Sequence, residues 1–198
     1  MTLAERLRRA LDQGLADSLM LIEADSRALL ERGPTTPAAV LVAIVDRPDP
    51  TVILTMRTDT IRRHPGQVAF PGGRVDPEDE DVIAAALREA EEEIGLPRDQ
   101  VEIVGIADLY RTITGYEVTP VIGIVPPDLP LTPQPDEVAA IFEVPLRHLI
   151  APEHQVMRTM ERNGQEHFYY EIEWEDRRIW GATAGMIVNL SRRLAFLP

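Results

Sequence analysis

The stretch Asp81 to Ile94, DVIAAALREAEEEI, has no Pro or Gly, is rich in Ala, Leu, Arg and Glu, and runs directly into Gly95. That composition predicts a helix, and a glycine just past its end is a common left-handed stop. Ile83, Leu87, Ala90 and Ile94 recur at spacings of four, three and four and are expected to form its buried stripe. At about 100° per residue, Glu89, Glu92 and Glu93 then lie on roughly the opposite face. Like charges three or four apart cost a few tenths of a kcal/mol per pair, and anions near a helix C-terminus cost a further ~0.3–1 kcal/mol. A hard divalent cation reverses this balance, because Mg²⁺ and Mn²⁺ are bound by carboxylate oxygens. The acids from Asp76 to Asp81 precede the helix and suit its dipole without a cation. A calcium EF-hand loop starting at Asp76 fails, since it needs Gly where Asp81 stands and Glu where Leu87 stands.

The helix is flanked by strand signals. AAVLVAIVD (38–46) reads as a buried strand, TVILTMR (51–57) as its partner, and VEIVGIADLYRT (101–112) and TPVIGIVP (119–126) as further strands. PPDLPLTPQPDE, with five prolines in twelve residues, is expected to be a stiff loop. EVAAIFEVPLRHLI (137–150) and GATAGMIVNLSRRLAFL (181–197) carry helical periodicity, with HFYYEIEW (167–174) between them as a strand. Strands, one central helix, more strands and a terminal helix define an α/β or α+β sandwich. Residues 2–32 show apolar positions at helical spacing, Leu3, Leu7 and Leu11, then Leu19, Leu21, Ile22, Leu29 and Leu30. Residues 1–34 are therefore expected to form an N-terminal helical extension, and its amphipathic face offers a homodimer contact.

Charge and composition exclude several classes of function. A net charge of −13 repels nucleic-acid backbones. No apolar run is long enough to span a membrane and the N-terminus lacks a secretory pattern, so a cytoplasmic location is expected. With no cysteine, thiolate ligands and a cysteine nucleophile are excluded. A small anionic substrate would then need local cations, and Arg57, Arg62, Arg63, His64 and Arg74 cluster just before the acidic helix.

FPGG (70–73) lies seven residues before that helix and allows backbone to approach a metal or ligand closely. Gly73…Glu80…Arg88-Glu89-Ala90-Glu91-Glu92-Glu93-Ile94-Gly95-Leu96 resembles the Nudix hydrolase signature. The part from Arg88 to Leu96 matches position for position. Six residues, not the signature's five, separate Gly73 from Glu80, which leaves Asp79 and Glu80 as equal candidates for the first signature acid. The resemblance implies an α/β/α sandwich with a mixed central sheet spanning 35–198, and bound Mg²⁺ or Mn²⁺. It makes Glu89 and Glu93 the main metal ligands, Glu92 an additional one, Gly73 a backbone carbonyl contributor, and Arg88 the residue that orients the glutamates.

Nudix enzymes cleave a pyrophosphate linkage joined to another group. ILTMRTDTIRRHPGQVAFPGG (53–73) is similar to the motif of the bacterial coenzyme A pyrophosphatase branch, matching at Thr55, Arg57, Arg62, Gly66, Phe70, Pro71, Gly72 and Gly73. The extra residue after FPGG is also similar to that branch. The resemblance implies hydrolysis of coenzyme A to 4′-phosphopantetheine and adenosine 3′,5′-bisphosphate, with Arg57, Arg62, Arg63, Arg74 and Gly66 at the substrate. Glu89 acting through a metal-bound water, or Glu137 at the end of the proline-rich loop, would be the general base. Alternatives are another nucleoside diphosphate derivative such as ADP-ribose, or a non-catalytic Nudix-fold binding module, which would be expected to have lost signature glutamates.

Overall fold

The computed structural model describes residues 2–16, 35–58, 66–162 and 165–194. At its centre, β1 (Thr36–Val45) runs parallel to β7 (Tyr116–Val125), with Thr36 opposite Tyr116 and Val45 opposite Val125. Both strands are covered on both faces, which is why they read as continuous apolar runs instead of alternating ones. Ala39, Leu41, Ala43, Val121 and Val125 pack on one side, and Val42, Ile44, Val118, Ile122 and Ile124 on the other. The antiparallel β2 (Thr51–Arg57) and β4 (Gly72–Arg74) flank β1, while β5 (Glu102–Ile106) and β6 (Tyr110–Arg111) flank β7. Beyond β2 lie β3 (Val68–Ala69) and β8 (Val138–Pro145), giving a mixed sheet of eight strands among the described residues.

One face of this sheet carries α2 (Val82–Ile94). Asp81 caps its start by accepting the Ala84 N–H at 2.8 Å, and Gly95 ends it at φ 65°. Capping of this kind is worth ~1 kcal/mol and fixes where the helix begins. The other face carries α1 (Leu3–Ala16), α4 (Ala182–Leu194) and an antiparallel sheet of β9 (Val156–Arg162), β10 (Gln165–Trp174) and β11 (Arg177–Trp180). The layers are helix, sheet and helix, as expected from the sequence. Leu7, Ala10 and Leu11 of α1 lie in the same core as Ile187 and Leu190 of α4. Arg193, 2% exposed, pairs with the Asp108 carboxylate and donates from Nη1 to the Leu11 carbonyl at 3.1 Å.

Three expectations are corrected. The 137–150 segment is not one helix: it is β8 followed by the short α3 (Leu146–Ile150). The i, i+3, i+4 spacing of Val138, Ile141 and Phe142 is helical, but pairing with β2 from Arg57 to Thr51 makes the segment a strand, with Phe142 against one core and Ile141 against the other. The 101–112 run is not one strand: it is β5 and β6, with 107–109 between them, and both pair with β7. The buried stripe of α2 is also rotated from the one predicted by its large residues. Ala85, Ala86, Ala90 and Ile94 are buried, while Ile83 and Leu87 are only half-buried. Small side chains on α2 and on β1 let helix and sheet approach closely, and the rotation draws Glu93 inward to 5% exposure. The expected apolar positions Leu19, Leu21, Ile22, Leu29 and Leu30 lie outside the described residues.

Candidate active site

The site forms where the acidic end of α2 meets β4. A Cβ on Gly73 would lie 2.4 Å from Glu89 Oε1, and one on Gly72 would lie 2.4 Å from the Ala39 carbonyl oxygen. At Gly72 the backbone of β1 leaves no room for a Cβ, and at Gly73 a Cβ would displace the end of the Glu89 side chain. Glu93 reaches the same strand, accepting the Gly72 N–H at 3.2 Å, and Arg57 Nη1 stands 3.8 Å from its other oxygen.

Arg88 is the organiser of the helix end. Its Nε and Nη2 each donate to Asp79 at 2.9 Å, Nη2 also donates to the Arg74 carbonyl at 3.0 Å, and Nη1 donates to Glu89 at 3.0 Å and Glu92 at 3.2 Å. Asp79 therefore fills the place of the first signature acid, and Glu80 is exposed. The extra residue after FPGG does not break the contact. It passes the role from Glu80 to Asp79, which is the sixth residue after Gly73.

The charges here are unevenly compensated. The Arg88 guanidinium holds the Asp79 carboxyl below its usual range. Burial pushes Glu93 up to about 7 and raises Glu89, against the opposing pull of Arg57 and Arg88 respectively. The negative charge of Glu137 raises both further. Two desolvated carboxylates with only partial cationic cover are a disfavoured arrangement in the absence of a counter-ion. An all-oxygen donor set suits Mg²⁺ or Mn²⁺, so the residues present fit a hard divalent ion. Among the described residues no three acidic side chains converge as a finished cage. Glu92 is turned to Arg88 with 60% of its side chain exposed.

The remaining candidates divide. Glu137 follows the proline-rich loop directly ahead of β8 and is not at a helix start. Its carbonyl accepts the Thr58 N–H at 3.0 Å, which ties it to the end of β2 beside Arg57. Arg74 lies against Tyr116, donating to its hydroxyl at 3.0 Å, so its guanidinium already has an aromatic partner. Gly66, at φ 66°, donates its N–H to the Arg57 carbonyl at 3.2 Å, which accounts for a glycine at the base of this hairpin. Arg62, Arg63 and His64 lie outside the described residues.

A Gly-Gly strand at the centre of a mixed sheet, facing the acidic last turn of a helix, is the arrangement of a Nudix domain. The NUDIX domain family matches residues 35–169, and the chain belongs to that family. It is 47% identical over 161 residues to "Uncharacterized Nudix hydrolase NudL" of Escherichia coli O7:K1, covering 81% of this chain and 84% of that one. The NudL of Shigella flexneri matches at the same identity and coverage. Among solved structures, the Nudix hydrolase RenU of M. smegmatis superposes with a TM-score of 0.50 at 26% identity, covering 59% of this chain and 74% of that one. A MutT/nudix family protein from Enterococcus faecalis shares the fold over 98% of this chain and 75% of its own, with TM-score 0.50 and 17% identity. The chain is thus a Nudix hydrolase. No described helix is long and apolar enough to cross a membrane.

Proposed function

We propose that this Nudix hydrolase cleaves the pyrophosphate bond of coenzyme A or its derivatives, giving 4′-phosphopantetheine and adenosine 3′,5′-bisphosphate. The observation that carries the reading is the continuity of the 53–73 motif with the metal-site geometry. Arg57, from the middle of the motif, stands beside Glu93, and Gly72–Gly73, at its end, lie beneath Glu89. With Asp79 in the place of the first acid, the extra residue typical of that branch falls between Asp79 and Arg88, and their hydrogen bonds span it.

Glu89 and Glu93, with the Gly73 backbone, would hold Mg²⁺ or Mn²⁺, and Glu92 would join them on release from Arg88. Bound there, a divalent ion neutralises phosphate charge and makes water a stronger nucleophile near neutral pH. The protein's own groups do the rest. Arg88 keeps Glu89 in its rotamer, and Arg57 offers a guanidinium fork to a phosphate oxygen while part-neutralising Glu93. Glu137, held next to Arg57 through Thr58, takes the proton of the attacking water. No covalent intermediate is needed, because phosphoryl transfer depends mainly on positioning and charge neutralisation. Arg74, Arg62 and Arg63 are further candidates for the substrate's phosphates, the last two on the strength of the 53–73 motif alone. The substrate would be a small molecule, not a nucleic acid or a membrane.

The test is product analysis after incubation with coenzyme A and Mg²⁺ or Mn²⁺, with Glu89→Gln and Glu93→Gln as controls. The two named products should form with the unaltered chain and fall sharply with both variants. Equal or faster cleavage of ADP-ribose would overturn the substrate assignment, and full activity of both variants would overturn the metal ligands.

A further inference from the structure

The proline-rich loop from Pro126 to Glu137 closes over the C-terminus of α2, where helix carbonyls lack partners of their own. Thr132 N–H donates to the Ile94 carbonyl at 2.9 Å, and Gln134 N–H to the Glu93 carbonyl at 2.8 Å. Gln134 then turns its side chain the other way. Its Oε1 accepts the N–H groups of Asp136 at 2.6 Å and Glu137 at 3.0 Å, and its backbone carbonyl accepts the Glu137 N–H at 3.1 Å. From the opposite side Thr58 donates its N–H to the Glu137 carbonyl at 3.0 Å and its hydroxyl to the Asp136 carbonyl at 3.1 Å. Glu137 is itself exposed, so its direction is set by these hydrogen bonds and not by packing of its side chain. It is instead bracketed by two residues tied to Glu93: Gln134 through the Glu93 carbonyl, and Thr58 through its chain neighbour Arg57.

We propose that Gln134 is a positioning residue, whose side-chain oxygen fixes the backbone turn that aims the Glu137 carboxylate at the Glu89–Glu93 pair. The inference rests on the reading of Glu137 as general base, and it adds a residue outside the signature and the 53–73 motif. One residue, through its backbone N–H and its side-chain oxygen, couples the end of the metal helix to the placement of a carboxylate on the following loop. Side chains that accept backbone N–H groups two or three residues ahead are efficient turn-formers, so the device needs no change in the rest of the loop.

The experiment compares Gln134→Met, which keeps length but loses the acceptor, with Gln134→Glu, which retains it, and with Glu137→Gln and the Gln134→Met/Glu137→Gln double variant. Hydrolysis of coenzyme A with Mg²⁺ gives kcat and KM, and Mn²⁺ binding to the substrate-free protein is followed by electron paramagnetic resonance. Glu137→Gln should lower kcat by ~100-fold or more, the usual contribution of a general base. Gln134→Met should lower kcat by ~10-fold or more, with KM and the Mn²⁺ dissociation constant within about twofold, and Gln134→Glu should restore most of the rate. In the Glu137→Gln background, Gln134→Met should cost nothing further, because residues acting as a unit are non-additive. An equal loss in both backgrounds, or weakened Mn²⁺ binding, would show that Gln134 only supports the loop or the helix end and overturns the proposal. Full activity in Glu137→Gln would remove the general base and the positioning role together, while leaving the metal assignment standing.

Discussion

Arg88 and Asp79 meet as a fork on a carboxylate, with two hydrogen bonds of 2.9 Å each and only 6% of the Asp79 side chain exposed. Charge-assisted bonds of this kind are worth ~1.5–3 kcal/mol, whereas an exposed surface side chain contributes within about ±0.5 kcal/mol. Asp79→Ala should therefore destabilise the fold by ~2 kcal/mol and lower activity by releasing Arg88, while Glu80→Ala should change neither. Denaturant unfolding and hydrolysis assays on the two variants decide the matter.

The same pair predicts an acid limb in stability. The folded-state pKa of Asp79 is depressed by Arg88, so its contribution is fully present above the unfolded carboxyl value of about 3.9. It is lost as pH falls through the lower folded value. Asp79→Asn should remove that part of the dependence, and the gap between the two proteins' unfolding midpoints should narrow below about pH 4. A gap that stays constant down to pH 2 would mean the carboxylate is not the stabilising form.

Glu93 carries the opposite sign. Its carboxylate is buried beside one N–H at 3.2 Å and a guanidinium at 3.8 Å, too little to repay its desolvation. In metal-free protein Glu93→Gln should be neutral or mildly stabilising, yet it should abolish stabilisation by added Mn²⁺. For the unaltered chain that stabilisation is ~2.7 kcal/mol at a hundredfold excess over the dissociation constant. Thermal unfolding with chelator and with Mn²⁺ separates the two effects.

Gly73→Ala should spare the core and damage the site. Its new methyl would lie 2.4 Å from Glu89 Oε1, so the side chain must leave its rotamer. A displacement of about 1 Å at a metal ligand or positioning group can cost ~100-fold in rate. The expected result is a large fall in kcat with a nearly unchanged circular dichroism spectrum.

Arg193→Met is the structural counterpart. It strips a 2%-exposed guanidinium from Asp108 and from the Leu11 carbonyl, and breaking a buried pair from one side costs ~3–5 kcal/mol. The thermal midpoint should drop by ~10 °C or more with the catalytic parameters intact on the folded fraction.

Much of this architecture was legible in the residues. β1, β2, β7, α2 and α4 announced themselves by apolar runs, periodicity and the Gly95 stop, since each of these signals is local. Asp79 was legible only as half of an ambiguity, because choosing it over Glu80 depends on where the chain bends after Gly73. β8 was hidden because a strand covered on both faces mimics helical spacing, and only pairing with β2 reveals it. The inward turn of Glu93 was hidden by Ala85 and Ala86, whose smallness matters only when a sheet packs against them. Gln134 carried no signal at all, since its role consists of bonds to backbone groups on both sides of a turn.

The parallel pairing of β1 with β7 has a bearing on how the chain comes to be active. Thr36 has no partner in that pair until Tyr116 exists, so the central sheet cannot close while only the first half of the protein has been made. The segment 53–96, with the arginines, the glycine strand and the glutamates, emerges from the ribosome well before the strand that anchors its platform. β8 and the Glu137 turn arrive later still. A nascent chain stopped before residue 116 would thus carry every signature residue without the parallel strand that holds β1 in the centre of the sheet.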